Sequence, residues 1–129
     1  MKGLTLNIDT DMYKDMHSYK IRHDITTMQD FIGRALSFCK DQNDNDKLCA
    51  EDFSVHLSDI RNRFYQRDIR SVTVYMTMQG YRKLKALHTI LSSVYLKDTL
   101  TVIIYLFLMH HLPIVKHAES SNKNRQNEI

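Results

Sequence analysis

Two five-residue stretches, Leu4-Thr5-Leu6-Asn7-Ile8 and Val72-Thr73-Val74-Tyr75-Met76, alternate apolar and polar side chains. This period of two is the signature of a strand with one buried and one open face. Apolar positions at helical spacing follow the first stretch. Met12, Met16, Tyr19 and His23 form one stripe, predicting a helix from about Thr10 to His23, with Asp9, Thr10 and Asp11 supplying the cap and first-turn acids. Asp24-Ile25-Thr26-Thr27 breaks the pattern, and either threonine suits the cap of a second helix. The stripe of that helix is Met28, Phe31, Ile32, Ala35, Leu36 and Cys39. The unit reads strand, helix, helix.

The unit then recurs. An offset of 68 carries Leu4 to Ile8 onto Val72 to Met76, and Tyr13, Met16, Tyr19 and His23 onto Tyr81, Leu84, Leu87 and Leu91. For the second helix an offset of 71, with a three-residue insertion around Ser92-Ser93-Val94, aligns Thr27, Phe31, Ile32, Ala35 and Leu36 with Asp98, Val102, Ile103, Leu106 and Phe107. A repeat at one large offset indicates two copies of a supersecondary unit, whereas a solenoid needs at least three short repeats. Two strands of this length are not stable by themselves. Paired antiparallel, they turn Leu4, Leu6, Ile8, Val72, Val74 and Met76 toward a helical core. Thr5 and Asn7 then look outward across from Thr73 and Tyr75. The expected fold is mainly α with a short antiparallel β-ribbon, its two units forming a pseudo-dimer within one chain.

Between the units, Asp41 to Asp46 is polar and predicts an exposed loop. Its acids read as solvated, because the spacing and glycine of an EF-hand loop are missing. A third helix is expected from Ala50 to Tyr65, with Phe53, Leu57, Ile60 and Phe64 on one side, as a connector packed on the core. The resulting division is a first unit over 1–40, loop and connector over 41–69, a second unit over 70–113 and a mobile tail over 114–129, rich in Ser and Asn.

Composition narrows the picture. An apolar fraction of 43% in 129 residues suffices for one core, and three glycines with one proline favour long helices over a sandwich or barrel. The net charge of +3 is uneven: residues 1–40 carry +1, 41–70 carry −2 and 71–129 carry +4. A basic C-terminal half suits a polyanionic partner. Cys39 and Cys49 have no paired metal spacing and read as inert thiols of a reducing cytoplasm. Met1-Lys2-Gly3 leads straight into alternation, so no signal peptide is expected. The most apolar run, Val102 to Met109, spans eight residues where a membrane crossing needs roughly 20, and it reads as a buried helix.

Little catalytic chemistry is visible. There is no glycine-rich phosphate loop, no serine nucleophile motif and no recognisable carboxylate pair, so neither an enzyme nor a cofactor is expected. His110, His111 and His117 lack a Cys, Asp or Glu at useful spacing and read as a polar helix end, not a metal site. Arg61, Arg63, Arg67 and Arg70 are interspersed with acids and read as a solvated face.

Strand, helix, helix with this alternation resembles the ribbon-helix-helix DNA-binding proteins, the Arc and MetJ group, whose members read DNA with a β-ribbon. The likeness covers about residues 2–40 and 70–111. Two units in one chain are similar to the tandem accessory proteins of plasmid relaxosomes. The resemblance implies that Thr5 and Asn7 read bases with Lys2 or Gly3 nearby, and Thr73 and Tyr75 with Arg70 or Ser71 nearby. It also implies phosphate contacts at Thr26, Thr27 and Met28 in the first unit and at Asp98 and Thr99 in the second. The strand centres carry no arginine or lysine, and Asp98 sets a carboxylate where a phosphate should approach; both depart from the family pattern. The expected function is sequence-specific binding of double-stranded DNA in the cytoplasm, as a transcriptional regulator such as a repressor or as a plasmid conjugation factor. Further copies would array on neighbouring sites. The competing expectation is a helical oligomerisation or protein-interaction module whose strands merely brace it.

Overall fold

The computed structural model describes residues 1–48, 50–64, 68–91 and 95–111. Its elements are β1 (Lys2–Asp9), α1 (Thr10–Arg22), α2 (Met28–Asp44), α3 (Ala50–Phe64), β2 (Ile69–Met76), α4 (Met78–Leu91) and α5 (Leu96–His111). The two strands pair antiparallel in one two-stranded sheet, from Lys2 opposite Met76 to Asp9 opposite Ile69. The chain is thus two ribbon-helix-helix units, β1-α1-α2 and β2-α4-α5, joined by α3. Each strand is eight residues long rather than five, because pairing extends to both ends of the ribbon.

The inner face is the predicted one. Leu6, Ile8, Val74 and Met76 are at most 1% exposed, while Leu4 and Val72 are half-buried at its margin. Packed below are α2 and α5, which cross under β2 and β1 respectively. Phe31, Ile32, Ala35, Leu36 and Cys39 of α2 are all fully buried. Burial of a side chain such as Leu or Ile contributes about 1.5–3 kcal/mol, so these helices supply what an isolated ribbon lacks. Burial raises the Cys39 thiol to about 12, which keeps it protonated and inert. Cys49 lies outside the described residues.

One offset of 68 relates the two halves throughout. It carries Asp9 onto Thr77, and both cap: the Asp9 carboxylate accepts from the Met12 amide at 2.7 Å, the Thr77 hydroxyl from the Gly80 amide at 3.0 Å. The same offset carries the first residue of α1 onto that of α4, and the first residue of α2 onto that of α5. It also places Thr99, Leu100, Ile103, Ile104 and Phe107 on the buried face that mirrors α2. The offset of 71 and its insertion are therefore corrected, although Ser92-Ser93-Val94 themselves lie outside the described residues. Helix α5 starts at Leu96, not after a cap at Asp98. Helix α5 is apolar on nearly every side, so its sequence carries no polar stripe that fixes the phase.

Two other expectations change. The polar stretch 41–46 is mostly helix, since α2 continues to Asp44. An i,i+4 contact between Lys40 and Asp44 at 3.4 Å supports that last turn, and the Asn45 side chain donates to the Asp41 carbonyl at 2.8 Å. Asp46 then leaves the helix with a positive φ of 58°. Connector α3 buries Phe53 and Ile60 and half-buries Leu57, as its spacing predicts; the Phe64 side chain lies outside the described residues. The tail over 114–129 lies outside them as well. Among the described residues no single helix is long and apolar enough to cross a membrane.

The two faces of the ribbon differ in what they tolerate. Leu6→Asp or Val74→Asp puts an unpaired carboxylate in the core and removes apolar burial, together more than about 4 kcal/mol of a total near 5–15. Thr5→Asp leaves its charge in water. Thermal melts followed by circular dichroism should show collapse for the first two and a near-native transition for the third; equal losses would invalidate the facing.

Candidate nucleic-acid interface

The open face of the ribbon has three central cross-strand rows, and beyond them a fourth in which the exposed Ile69 lies opposite Asp9, whose side chain is buried as the cap of α1. Thr5 lies opposite Thr73, Asn7 opposite Ser71 and Gly3 opposite Tyr75. Because the offset and the antiparallel register coincide at Thr5 and Thr73, each stands across from its own counterpart, and the pseudo-two-fold axis passes between them. Their hydroxyls are 2.9 Å apart and hydrogen-bond to each other. The Asn7 row and the Tyr75 row are then the two symmetry-related flanks. This corrects the expected facing of Asn7 and Tyr75, since a ribbon pairs equivalents only at its centre.

The flanks are chemically unlike. The Ser71 hydroxyl donates to Asn7 Oδ1 at 3.0 Å, which orients the amide. On the other flank the Tyr75 ring, 54% exposed, spreads over Gly3, where an added Cβ would come within 2.8 Å of it. Gly3 thus makes room for an aromatic plate. Thr5, Asn7, Ser71, Thr73 and Tyr75 are all exposed and all uncharged hydrogen-bonding groups.

Lys2 and Arg70 are not on this face. Their parity along the strands is that of Leu4 and Val72, the helix side. The Lys2 ammonium lies 5.4 Å from the centre of the Tyr81 ring and the Arg70 guanidinium 4.6 Å from that of Tyr13. Lys2 and Arg70 are equivalents, and so are Tyr13 and Tyr81, so each unit sends one cation onto the first helix of the other. Such contacts contribute about 0.5–1 kcal/mol at exposed sites. Strand parity would have revealed this; Lys2 and Arg70 lie beyond the alternating cores from which the strands were read.

The second helices begin differently. Thr26 and Thr27 are exposed and Met28 half-buried at the start of α2, with the Thr27 hydroxyl accepting from the Asp30 amide at 3.1 Å. At the start of α5, Asp98 is held by Arg61 of α3 at 3.1 Å. Thr99 is fully buried with its hydroxyl 2.8 Å from His88 Nδ1, and its amide donates to the Tyr95 carbonyl. Thr99 therefore offers nothing to a surface ligand; its assignment followed from the misplaced helix start.

A third cluster joins the C-terminal ends of α1 and α5. Tyr19 stacks on His23 and meets Phe107 edge-on, while His111 lies against Phe107 and 5.0 Å from His110, ring to ring. Among the described residues no three His, Cys, Asp or Glu side chains are placed to hold a metal ion; His117 lies outside them.

Comparison of the chain with protein-family models, with curated proteins and with solved structures finds no match in any of the three.

Burial lowers the affinity of His111 for a proton, and the charges of His110 and His23 act in the same direction. The unfolded chain then binds that proton more readily. Stability is full above the ordinary imidazole value of about 6.5 and falls as pH drops below it. Melting temperature should decline from pH 7 to pH 5, and His111→Gln should flatten that decline; an unchanged slope would place the effect elsewhere.

Proposed function

We propose that this chain binds double-stranded DNA, inserting the open face of its ribbon into the major groove and reading base edges with Thr5, Asn7, Thr73 and Tyr75. One observation carries the reading: a helix-backed antiparallel ribbon whose central outward side chains, Thr5, Asn7, Ser71, Thr73 and Tyr75, are uncharged hydrogen-bonding groups arranged about a pseudo-two-fold, with the exposed Ile69 at its end. A two-stranded ribbon fits the major groove, where donors and acceptors of this kind distinguish base pairs. The structure supplies further support in the preset amide of Asn7 and the central hydroxyl pair.

Lys2 and Arg70, displaced to the sides of the ribbon, have a new part here. Their charges flank the face symmetrically and suit the phosphates at the groove walls, giving orientation rather than sequence information. The exposed start of α2 at Thr26, Thr27 and Met28 provides a further phosphate contact. One turn into α5 the Asp98 carboxylate lies beside the corresponding approach and is paired with Arg61, so the first unit grips its strand more firmly. Such a protein serves as a transcriptional regulator or as an accessory factor of plasmid conjugation, with no catalytic step.

A salt titration tests the class. Affinity should fall with a slope of about −0.9 per phosphate neutralised; a flat response would return the ribbon to the role of a brace in a helical interaction module. Asn7→Ala should weaken binding to a selected site by about 1–3 kcal/mol more than to random DNA, as read by mobility shift. Lys2→Ala and Arg70→Ala should weaken both alike.

The unlike flanks make a second prediction. Binding selection from random DNA should return sites that are symmetric at the centre and different on the two sides, at about 1–3 kcal/mol per wrong base pair. Recovery of perfect palindromes would mean that two chains pair through identical strands.

A further inference from the structure

The pseudo-two-fold relates two faces that the chain treats differently. On the second unit α3 lies along α5: Arg61 reaches Asp98, Leu57 and Ile60 border the same hollow as Thr101, and the His56 ring lies 6.1 Å from that of Tyr105. Asp98, Thr101 and Tyr105 correspond to Asp30, Gly33 and Ser37 of α2. Those three line an open groove of about 770 Å³, floored by Tyr19, Phe38 and Phe107. The connector covers one copy of the surface; over the other no helix of the described chain lies, and Lys83 of α4 reaches in from the side to donate to Ser37 at 3.1 Å.

Gly33 marks the groove independently. A glycine inside a helix costs about 0.5–1 kcal/mol relative to alanine, so a reason for it is usually found in its surroundings. Gly80 has one, since a Cβ there would meet Leu36 and Thr77 at 3.4 Å. A Cβ on Gly33 would meet nothing within 4 Å. The missing side chain leaves the backbone of α2 open to close approach at this point. Charge agrees with this: the Asp98 carboxylate has its arginine, whereas the exposed Asp30 carboxylate has no ion-pair partner among the described residues.

From these observations we infer that the groove along α2 docks an amphipathic helix of a partner protein, seated as α3 is seated on α5. The required pattern is that of Phe53, Leu57, Ile60 and Arg61: apolar side chains at i, i+4 and i+7, then a cation for Asp30. Its backbone crosses α2 over Gly33, and its apolar side chains reach Phe38 and Phe107. The groove leaves the open face of the ribbon free and meets the phosphate contact proposed for α2 at its edge, at Thr26, so the inference is tested without DNA.

The test uses the full chain without DNA and a fluorescein-labelled synthetic peptide with the sequence of residues 50–64 as the probe. Anisotropy should saturate, with backbone amide shifts at Gly33, Ser37 and Phe38. Gly33→Leu should weaken binding at least about tenfold without lowering the melting temperature, and Asp30→Lys, at an exposed position, should weaken it too. Failure to saturate at millimolar peptide, equal affinity in both variants, or shifts confined to the α5 face would overturn the proposal. Self-association of the free chain that Gly33→Leu abolishes would assign the groove to a second copy and overturn it as well.

Discussion

Antiparallel pairing of β1 with β2 is the constraint on which the rest of the molecule depends. Among the described residues neither strand has another neighbour, and a two-stranded ribbon has no stability of its own. Each strand brings its own pair of helices, and pairing places α2 beneath β2 and α5 beneath β1. The core is therefore shared between the units from the start. Leu6 and Ile8 are covered chiefly by the second unit's α5, and Val74 and Met76 chiefly by the first unit's α2. The cation–ring contacts of Lys2 with Tyr81 and Arg70 with Tyr13 cross the same boundary.

Symmetry is kept where backbone geometry demands it and abandoned elsewhere. The caps at Asp9 and Thr77, the starts of the helices and the central threonine pair all obey one offset. Outside that frame the copies have diverged. Thr101 and Val102 are buried, Thr101 beside Leu57 and Ile60 of α3, whereas their counterparts Gly33 and Arg34 are half-buried and exposed. The same divergence turns Asn7 on one flank into Tyr75 on the other.

Much of this was legible in the sequence because alternation and helical stripes are strong where one face is wet. The ribbon, its inner face, the first unit and the outward positions Thr5, Asn7, Thr73 and Tyr75 follow from such patterns. What failed shares one physical cause, the loss of contrast. Helix α5 is covered on both sides, so the apolar pattern around Asp98 and Thr99 fits a phase one turn away as well as the true one. The acids after Lys40 gave no apolar stripe, and an i,i+4 contact carried the helix through them. Lys2 and Arg70 lay outside the alternating cores, and their parity becomes evident only with the full strand length. Gly33 carried a sequence signal, a glycine inside a clean helical stripe, whose meaning needed the empty space above it.

The ribbon also sets the order in which the chain assembles. Its partners lie about 60 to 74 residues apart in sequence, from Asp9 with Ile69 to Lys2 with Met76, so each ladder bond closes a loop of half the chain. Closure of that length costs roughly 3–4 kcal/mol before any contact returns it. The helices, built from local contacts, form on the microsecond scale. Ribbon closure is then the slow event, and until it occurs both strands present unpaired edges to neighbouring chains. The ribbon is thereby also a point of exposure to misassembly, and fast helix formation, by bringing α2 and α5 together early, shortens the time that those edges stay open.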